Sequence, residues 1–529
     1  MVTMTNEIPA SGRFSIPVPA NRLRWWPAVV LALCIGAARA GQPAGRPNIL
    51  FIMSDDHTSQ AWGIYGGILS SYAKNDHIRW LAERGAVLQN AFCTNSICVP
   101  SRAAIMTGQY SHRNGVFDLS GELSPDSLNF AKLLQQGGYQ TALVGKWHLK
   151  GRPAGFDHFL VLPGQGRYRD PVLISEENWR EGESGGKVYP GFSTDVITDQ
   201  SIEWLKSRRK GTPFYLSVHF KATHEPFDYP DRYGSFLEDT EMPYPANLDE
   251  WGGAASGRRH DGWPLEILGK RYEGQTGSFY PGRSFSLAGL DSLAARKKIY
   301  QKFVRDYLRS GAGIDDSIGR LIAYLRQSGE LENTVIIYTS DQGYFLGEHG
   351  FFDKRFMYEE SLRMPFVICY PKEIKAGSRL KDIVLNIDFP SLFLDYAGIA
   401  RPEQMQGRSF RANLAGRTPR NWRKDMYYRY WSNEPRRPAH LGIRTDRYKL
   451  ALFYGQSRTN TERDPMPHAP GWEFYDLAKD PGENRNAIDD PAYSRIVAKL
   501  RKRLKEMKKQ LGDGQEANQT IETILGQSW

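Results

Sequence analysis

Two short acidic segments stand directly behind apolar runs: Asp55-Asp56 after Asn48–Met53, and Asp341-Gln342 after Thr334–Tyr338. Adjacent carboxylates repel unless a cation or a dense hydrogen-bond network offsets them. Three carboxylates and an amide oxygen suit one hard divalent ion. Calcium fits so oxygen-rich a set, whereas magnesium keeps more of its water. Taken alone, Asp55-Asp56 reads first as a turn or a helix cap; the second segment makes it a metal site. The chain has four cysteines, Cys34, Cys93, Cys98 and Cys369, too few and too scattered for a disulfide framework. Cys369 lies in the apolar run Pro365–Tyr370 and reads as core. Cys98 precedes Val99-Pro100-Ser101-Arg102 and a helix-forming stretch, so it stands where helix amides favour an anion.

The elements that must position these groups are visible as short apolar runs, each leading into polar residues. Asn48–Met53, Thr141–Val144, Phe214–Val218 and Thr334–Tyr338 lead respectively to Asp55, to Lys146 and His148, to His219 and His224, and to Asp341. Alternation with helical patterns such as Ile314–Gln327 predicts an α/β fold, a mainly parallel sheet covered by helices on both faces. Ligands in such sheets bind beyond the carboxyl ends of the strands, where the ionisable residues here collect. Residues 250–292, rich in glycine, read as a long irregular surface insertion. Ser193-Thr194-Asp195 reads as a helix cap. From about residue 416 the pattern changes to antiparallel strands at Met426–Trp431, His440–Arg444 and Tyr448–Tyr454, followed by a basic amphipathic helix whose charges read as a solvated face.

Length and composition agree with one large domain and a smaller one: 529 residues, 40% hydrophobic and 24% charged. Arg22 and Arg24, the apolar run Trp25–Ala37 and Ala38-Arg39-Ala40 read as a secretory signal, residues 1–40, cleaved after about Ala40. That run is too short to span a bilayer, so the mature chain, 41–529, is expected to carry no integral membrane span and to be secreted or periplasmic. The formal net charge is +10. Arg13, Arg22, Arg24 and Arg39 against Glu7 account for three of those charges, which leaves about +7 for the remainder. A basic surface favours anionic partners. With no nucleic-acid module and with export expected, anionic glycans fit better than nucleic acid.

Cys98-Val99-Pro100-Ser101-Arg102 closely resembles the C-x-P-S-R consensus of type I sulfatases, within the alkaline phosphatase superfamily. Gly145-Lys146-Trp147-His148, Lys221-Ala222-Thr223-His224-Glu225-Pro226 and Phe352-Asp353-Lys354-Arg355 resemble further motifs of that family, in the expected order. So does the C-terminal Phe474-Tyr475-Asp476-Leu477 with Asp480-Pro481-Gly482-Glu483. The resemblance implies an alkaline-phosphatase-like catalytic domain, 41–415, and a small C-terminal sheet-and-helix subdomain, 416–529. It implies that a maturation enzyme oxidises Cys98 to formylglycine. One hydroxyl of the hydrated aldehyde attacks sulfur, and deprotonation of the other expels sulfate. Arg102 then holds the diol, Lys146 and Lys354 hold sulfate oxygens, His148 serves as base, and His224 protonates the leaving sugar. Asp55, Asp56, residue 98, Asp341 and Gln342 hold one calcium ion; many relatives have Asn or His where Gln342 stands. Thr339–Ser361 looks like the bacterial mucin-desulfating, N-acetylglucosamine-6-sulfatase-like group, which implies a sulfated carbohydrate as substrate. Tyr430, Trp431, Arg436, Arg437 and His440 fall in the subdomain that contributes to the family's sugar pocket, and read equally as ordinary strand and loop residues. Two other functions fit the same motifs: a phosphodiesterase or phosphonate monoester hydrolase of the superfamily, and a non-catalytic glycan-binding protein.

Overall fold

Strand β1 (Asn48–Asp55) is buried along its whole length, and alternate residues enter different cores. Ile49, Phe51 and Met53 pack into one, Leu50 and Ile52 into the other. A strand covered on both faces needs a continuous apolar run rather than an alternating one, and this one has it. The computed structural model describes residues 45–249, 262–274, 280–282, 284–434, 436–458, 470–514, 516 and 518–529. The expected export signal, 1–40, lies outside the described residues, and no described helix is long and apolar enough to cross a membrane.

The other strands of the main sheet are β2 (Ala86–Leu88), β3 (Gln140–Lys146), β4 (His158–Leu162), β5 (Val172–Ser175), β6 (Lys187–Val188), β7 (Phe214–Thr223), β8 (Thr334–Ser340), β9 (Phe366–Cys369) and β10 (Ser378–Leu380). Their spatial order is β10-β2-β9-β8-β1-β7-β3-β4-β5-β6. The five central strands, β8-β1-β7-β3-β4, are all parallel. Antiparallel pairings occur only outside that block, as β9 against β8 and β2, and β5 against β4 and β6.

Helices cover both faces, as the sequence predicts. α1 (Asp76–Arg84), α4 (Ser193–Ser207) and the long α6 (Ser292–Gln327) pack into the core of Leu50 and Ile52. α2 (Cys98–Thr107), α3 (Phe130–Gln136) and α7 (Phe389–Tyr396) pack into the other. A four-stranded antiparallel sheet follows: β11 (Asp425–Tyr430), β12 (His440–Thr445), β13 (Tyr448–Phe453) and β14 (Gly471–Asp476), with helix α8 (Ser494–Gln510). Leu441, Leu452, Phe474 and Leu504 belong to the same apolar cluster as Phe51, so this small sheet shares a core with the large one.

Two expectations need correction. The stretch read as an irregular insertion contains helix α5 (Leu265–Glu273), which buries Leu265, Leu268 and Tyr272 against α6. Ser193 does not cap its helix: Phe192 occupies the cap position with no side-chain bond, Ser193 and Thr194 are buried in the first turn, and Asp195 pairs with Arg232 at 2.8 Å.

Candidate active site

Four neighbouring parallel strands deliver the ionisable groups to one edge of the sheet. β1 ends on Asp55, with Asp56 next at a left-handed φ of 68°. β8 is followed by Asp341 and Gln342, β3 ends on Lys146, and β7 runs through Lys221 toward His224. Gly145 explains how Lys146 gets there. It lies opposite His219 in the β3–β7 register at φ 110°, and a Cβ on it would sit 1.9 Å from the His219 carbonyl oxygen. Only glycine fits that approach.

Helix α2 brings Cys98 to the same edge. All ten of its residues are buried, Pro100 sits in the first turn where no amide donor is needed, and Gly108 closes it in a left-handed cap. Cys98 Sγ lies 3.4 Å from Asp55 Oδ1 and 3.7 Å from Gln342 Nε2. One turn along, Arg102 meets Asp341 Oδ2 at 3.0 Å through Nε and 2.9 Å through Nη2, lies 3.7 Å from Asp55 Oδ1, and donates to the Lys146 carbonyl at 2.9 Å.

The cluster is balanced charge for charge. Asp341 pairs with Arg102, Asp55 with Lys146, and Asp56 with Lys354 at 2.6 Å. Burial and then Asp55 push the Asp341 carboxyl up to about 8; burial pushes Asp56 up to about 6 against the pull of Lys354. Burial also opposes ionisation of Asp55, yet Lys146, His224, Arg102 and Lys354 together hold it well below the usual carboxylate range. Oxygens of Asp55, Asp56 and Asp341 lie within 4.8 Å of one another, as do the ligand atoms of Asp55, Cys98 and His224. Gln342 directs Nε2 to Asp56 Oδ1, while its Oε1 is buried with no partner. A turn about the terminal torsion exchanges the two amide atoms within one shape, so an oxygen ligand is available there.

Lys354 lies between Asp353 (φ 85°) and Arg355 (φ 94°), both in a conformation that L side chains avoid and both tied down: Arg355 bonds Asp353, and Arg437 reaches Asp353 at 3.1 Å. Arg437 thereby places the C-terminal subdomain at the rim. His148 is buried at φ 57° with Nδ1 unpartnered, and burial followed by Lys146 lowers its pKa strongly. His224 holds the Glu225 carbonyl through Nδ1 at 2.8 Å and turns Nε2 to within 3.8 Å of Asp56 Oδ2.

Further side chains hold the cluster in place, Asn386 and Gln165 from outside any motif. Ser101 Oγ bonds the Asp341 carbonyl and receives Asn386 Nδ2 at 2.9 Å; Gln165 Oε1 accepts from Lys146 at 2.6 Å. A cleft of about 780 Å³ opens at His224, lined also by Gln165, Tyr168, Lys221, Arg271 and Tyr280. Arg271 and Tyr280 lie in the stretch read as irregular, and both hold Glu225.

The family model "Sulfatase" matches residues 47–399, and "N-sulphoglucosamine sulphohydrolase, C-terminal" matches 347–510. The chain is 38% identical over 539 aligned positions to N-acetylglucosamine-6-O-sulfatase of Bacteroides thetaiotaomicron, covering 94% of this chain and 92% of that one. It is 26% identical over 424 positions to the human N-acetylglucosamine-6-sulfatase, covering 76% and 70%. A solved structure of a protein in complex with its substrate D-glucosamine-2-N,6-O-disulfate matches with a TM-score of 0.80 at 37% identity, covering 89% of this chain and 99% of that one. A phosphonate monoester hydrolase of Agrobacterium radiobacter, at 21% identity and a TM-score of 0.68 over 88% and 96%, shares the fold. The chain belongs to the sulfatase family.

Proposed function

We propose that the chain hydrolyses the 6-O-sulfate ester of a glucosamine-type sugar, using Cys98 after its oxidation to formylglycine and one calcium ion. The observation that carries this reading is the convergence of Cys98, three carboxylates and three matched cations beside His224, which lines a cleft. The names of the relatives, N-acetylglucosamine-6-sulfatases from a bacterium and from human, support the sugar and the position.

The residues present fit a hard divalent cation. The three carboxylates supply oxygen ligands at close quarters, and the buried, unpartnered Oε1 of Gln342 supplies another. When bound, such an ion supplies Lewis-acid stabilisation of anionic oxygen. Residue 98 as formylglycine, once water has added across its aldehyde, would supply two hydroxyls on one carbon. The rest falls to ordinary side chains. With Asp55 and Asp56 engaged elsewhere, Lys146 and Lys354 are available to sulfate oxygens. Arg102 orients Asp341 and lies one turn from the nucleophile. His148, held neutral by burial, accepts a proton at the unpartnered Nδ1. His224 keeps its Nδ1 proton on the Glu225 carbonyl, so proton exchange with the leaving sugar oxygen falls to Nε2. Burial holds its pKa well down, and an anionic ester beside it opposes that shift. Export through residues 1–40 to the periplasm or medium belongs to the same reading, as does a maturation enzyme for Cys98.

The test is sulfate release from 6-sulfated N-acetylglucosamine by the mature protein, beside turnover of a phosphodiester. Faster phosphodiester cleavage, or no sulfate release by protein whose Cys98 is oxidised, overturns the assignment.

A further inference from the structure

The cations at the catalytic edge are matched one for one, and so are two of the arginines that line the cleft. Arg271 meets Glu225 at 2.7 Å, and Arg169 meets Asp228 at 3.0 Å and Asp231 at 2.9 Å. Lys221 is different. It stands in β7 three residues before His224, is 4% exposed, and lines the cleft. No carboxylate of the described residues lies within ion-pair distance of it. Its Nζ rests 4.9 Å from the centroid of the Tyr168 ring, and Tyr168 in turn bonds the His224 carbonyl at 2.6 Å.

A buried ammonium without a directly paired counter-ion is costly. Here burial pushes Lys221 down to about 7 and Lys146 adds to the effect, while Asp55 and Asp56, beyond ion-pair distance, oppose it only in part. The sulfate to be cleaved already has Lys146, Lys354 and Arg102 around it, so Lys221 is surplus to that group. The cleft is large enough for more than one sugar ring, in the range typical of small-molecule sites.

We propose that Lys221, over Tyr168, forms a second anion subsite that selects substrates carrying another negative substituent near the scissile sulfate. The proposal rests on the sulfatase reading and extends it to a substrate class: doubly anionic amino sugars, the second charge being an N-sulfate on the same ring or a carboxylate on the adjoining one. A charge-assisted contact in a desolvated cleft discriminates strongly, since a substrate without the anion leaves the ammonium unpaired.

The experiment compares kcat/KM for three substrates with wild type, Lys221→Gln and Lys221→Arg. The substrates are 6-sulfated N-acetylglucosamine, the N-sulfated 6-sulfate, and the N-acetylated 6-sulfate joined to a uronic acid. Wild type is expected to favour one doubly anionic substrate over the N-acetylated monosaccharide by about tenfold or more. Whichever arm shows the preference identifies the source of the charge. Lys221→Gln should erase the preference through KM while leaving kcat for the monosaccharide within about threefold, and Lys221→Arg should retain it. A wild type with no preference, or a Lys221→Gln variant that keeps it, overturns the subsite. So does a variant that loses turnover equally on all three. Absence of sulfate release by wild type on every substrate sinks the sulfatase reading instead, so the two failures are distinct.

Discussion

Replacing Arg102 by methionine tests whether the site is held together by charge balance. The side chain is 2% exposed and serves Asp341 twice, at 3.0 and 2.9 Å, and the Lys146 carbonyl once, at 2.9 Å. Methionine fills a similar volume but leaves three carboxylates facing two cations. Removing one partner of a buried pair costs about 3–5 kcal/mol, and an orphaned carbonyl adds about 1 kcal/mol. Asp341 is already pushed up to about 8, so protonation offsets part of the first of these in the variant. The expected loss for metal-free protein is therefore about 3 kcal/mol, read as a lower midpoint of urea unfolding. Added calcium should restore most of that loss and should stabilise the variant more than wild type, because the ion replaces the missing positive charge. Turnover should still fall at least about hundredfold, since the charge that Arg102 fixes beside residue 98 is not restored in place. An unchanged midpoint without metal, or equal stabilisation of both proteins by calcium, refutes the reasoning.

Mass spectrometry of the peptide bearing residue 98 from protein matured in its host should show a loss of about 18 Da or the corresponding hydrate; Cys98→Ala should abolish turnover with the unfolding midpoint little changed, and retained turnover removes the nucleophile assignment. Gly145→Ala should fold poorly or lose turnover, because the new Cβ meets the His219 carbonyl at 1.9 Å and φ is 110°; normal activity would show that Lys146 does not need that approach. The buried imidazole of His440, stacked on Phe453 at 4.6 Å and lowered by burial from 6.5 to about 4, predicts acid lability. Its stability contribution is complete above pH 6.5 and declines as pH falls toward 4, because the unfolded chain takes up the proton first. The full loss is about 3 kcal/mol, and His440→Phe should flatten the fall in unfolding midpoint between pH 6.5 and 4.

What was legible in the sequence follows from which signals are local. β1, β3, β7 and β8 announce themselves as apolar runs because strands buried on both faces cannot alternate, and each run ends where its ionisable residue stands. The C-terminal strands β11 to β13 were visible for the same local reason. Helix α5 was not, because it lies among glycines and masks its pattern of Leu265, Leu268 and Tyr272. Ser193 looked like a cap because its residue type favours one; tertiary burial of Ser193 and Thr194 in the first turn overrode the preference. Gln165, Asn386 and Tyr168 act through contacts with distant parts of the chain, and no spacing in the sequence encodes them.

The strand ends could be read one by one, but their convergence is a property of sheet order. β8, β1, β7 and β3 are consecutive in space and parallel, so their carboxyl ends fall side by side and bring Asp341, Asp55, Lys221 and Lys146 to one edge. An antiparallel insertion anywhere in that block would send one of these groups to the opposite edge; the antiparallel strands of this sheet lie outside it. Helix α2 then has to enter from one face with its N-terminus at that edge, which its wholly buried sequence and its contacts with the Asn386–Asp388 turn and α7 enforce. The same order sets Lys221 in the strand between Asp55 and Lys146, yet aims it at the cleft rather than at either carboxylate pair. Its lack of a partner is therefore a consequence of where β7 leaves the sheet, and the charge it carries is directed at whatever occupies the cleft.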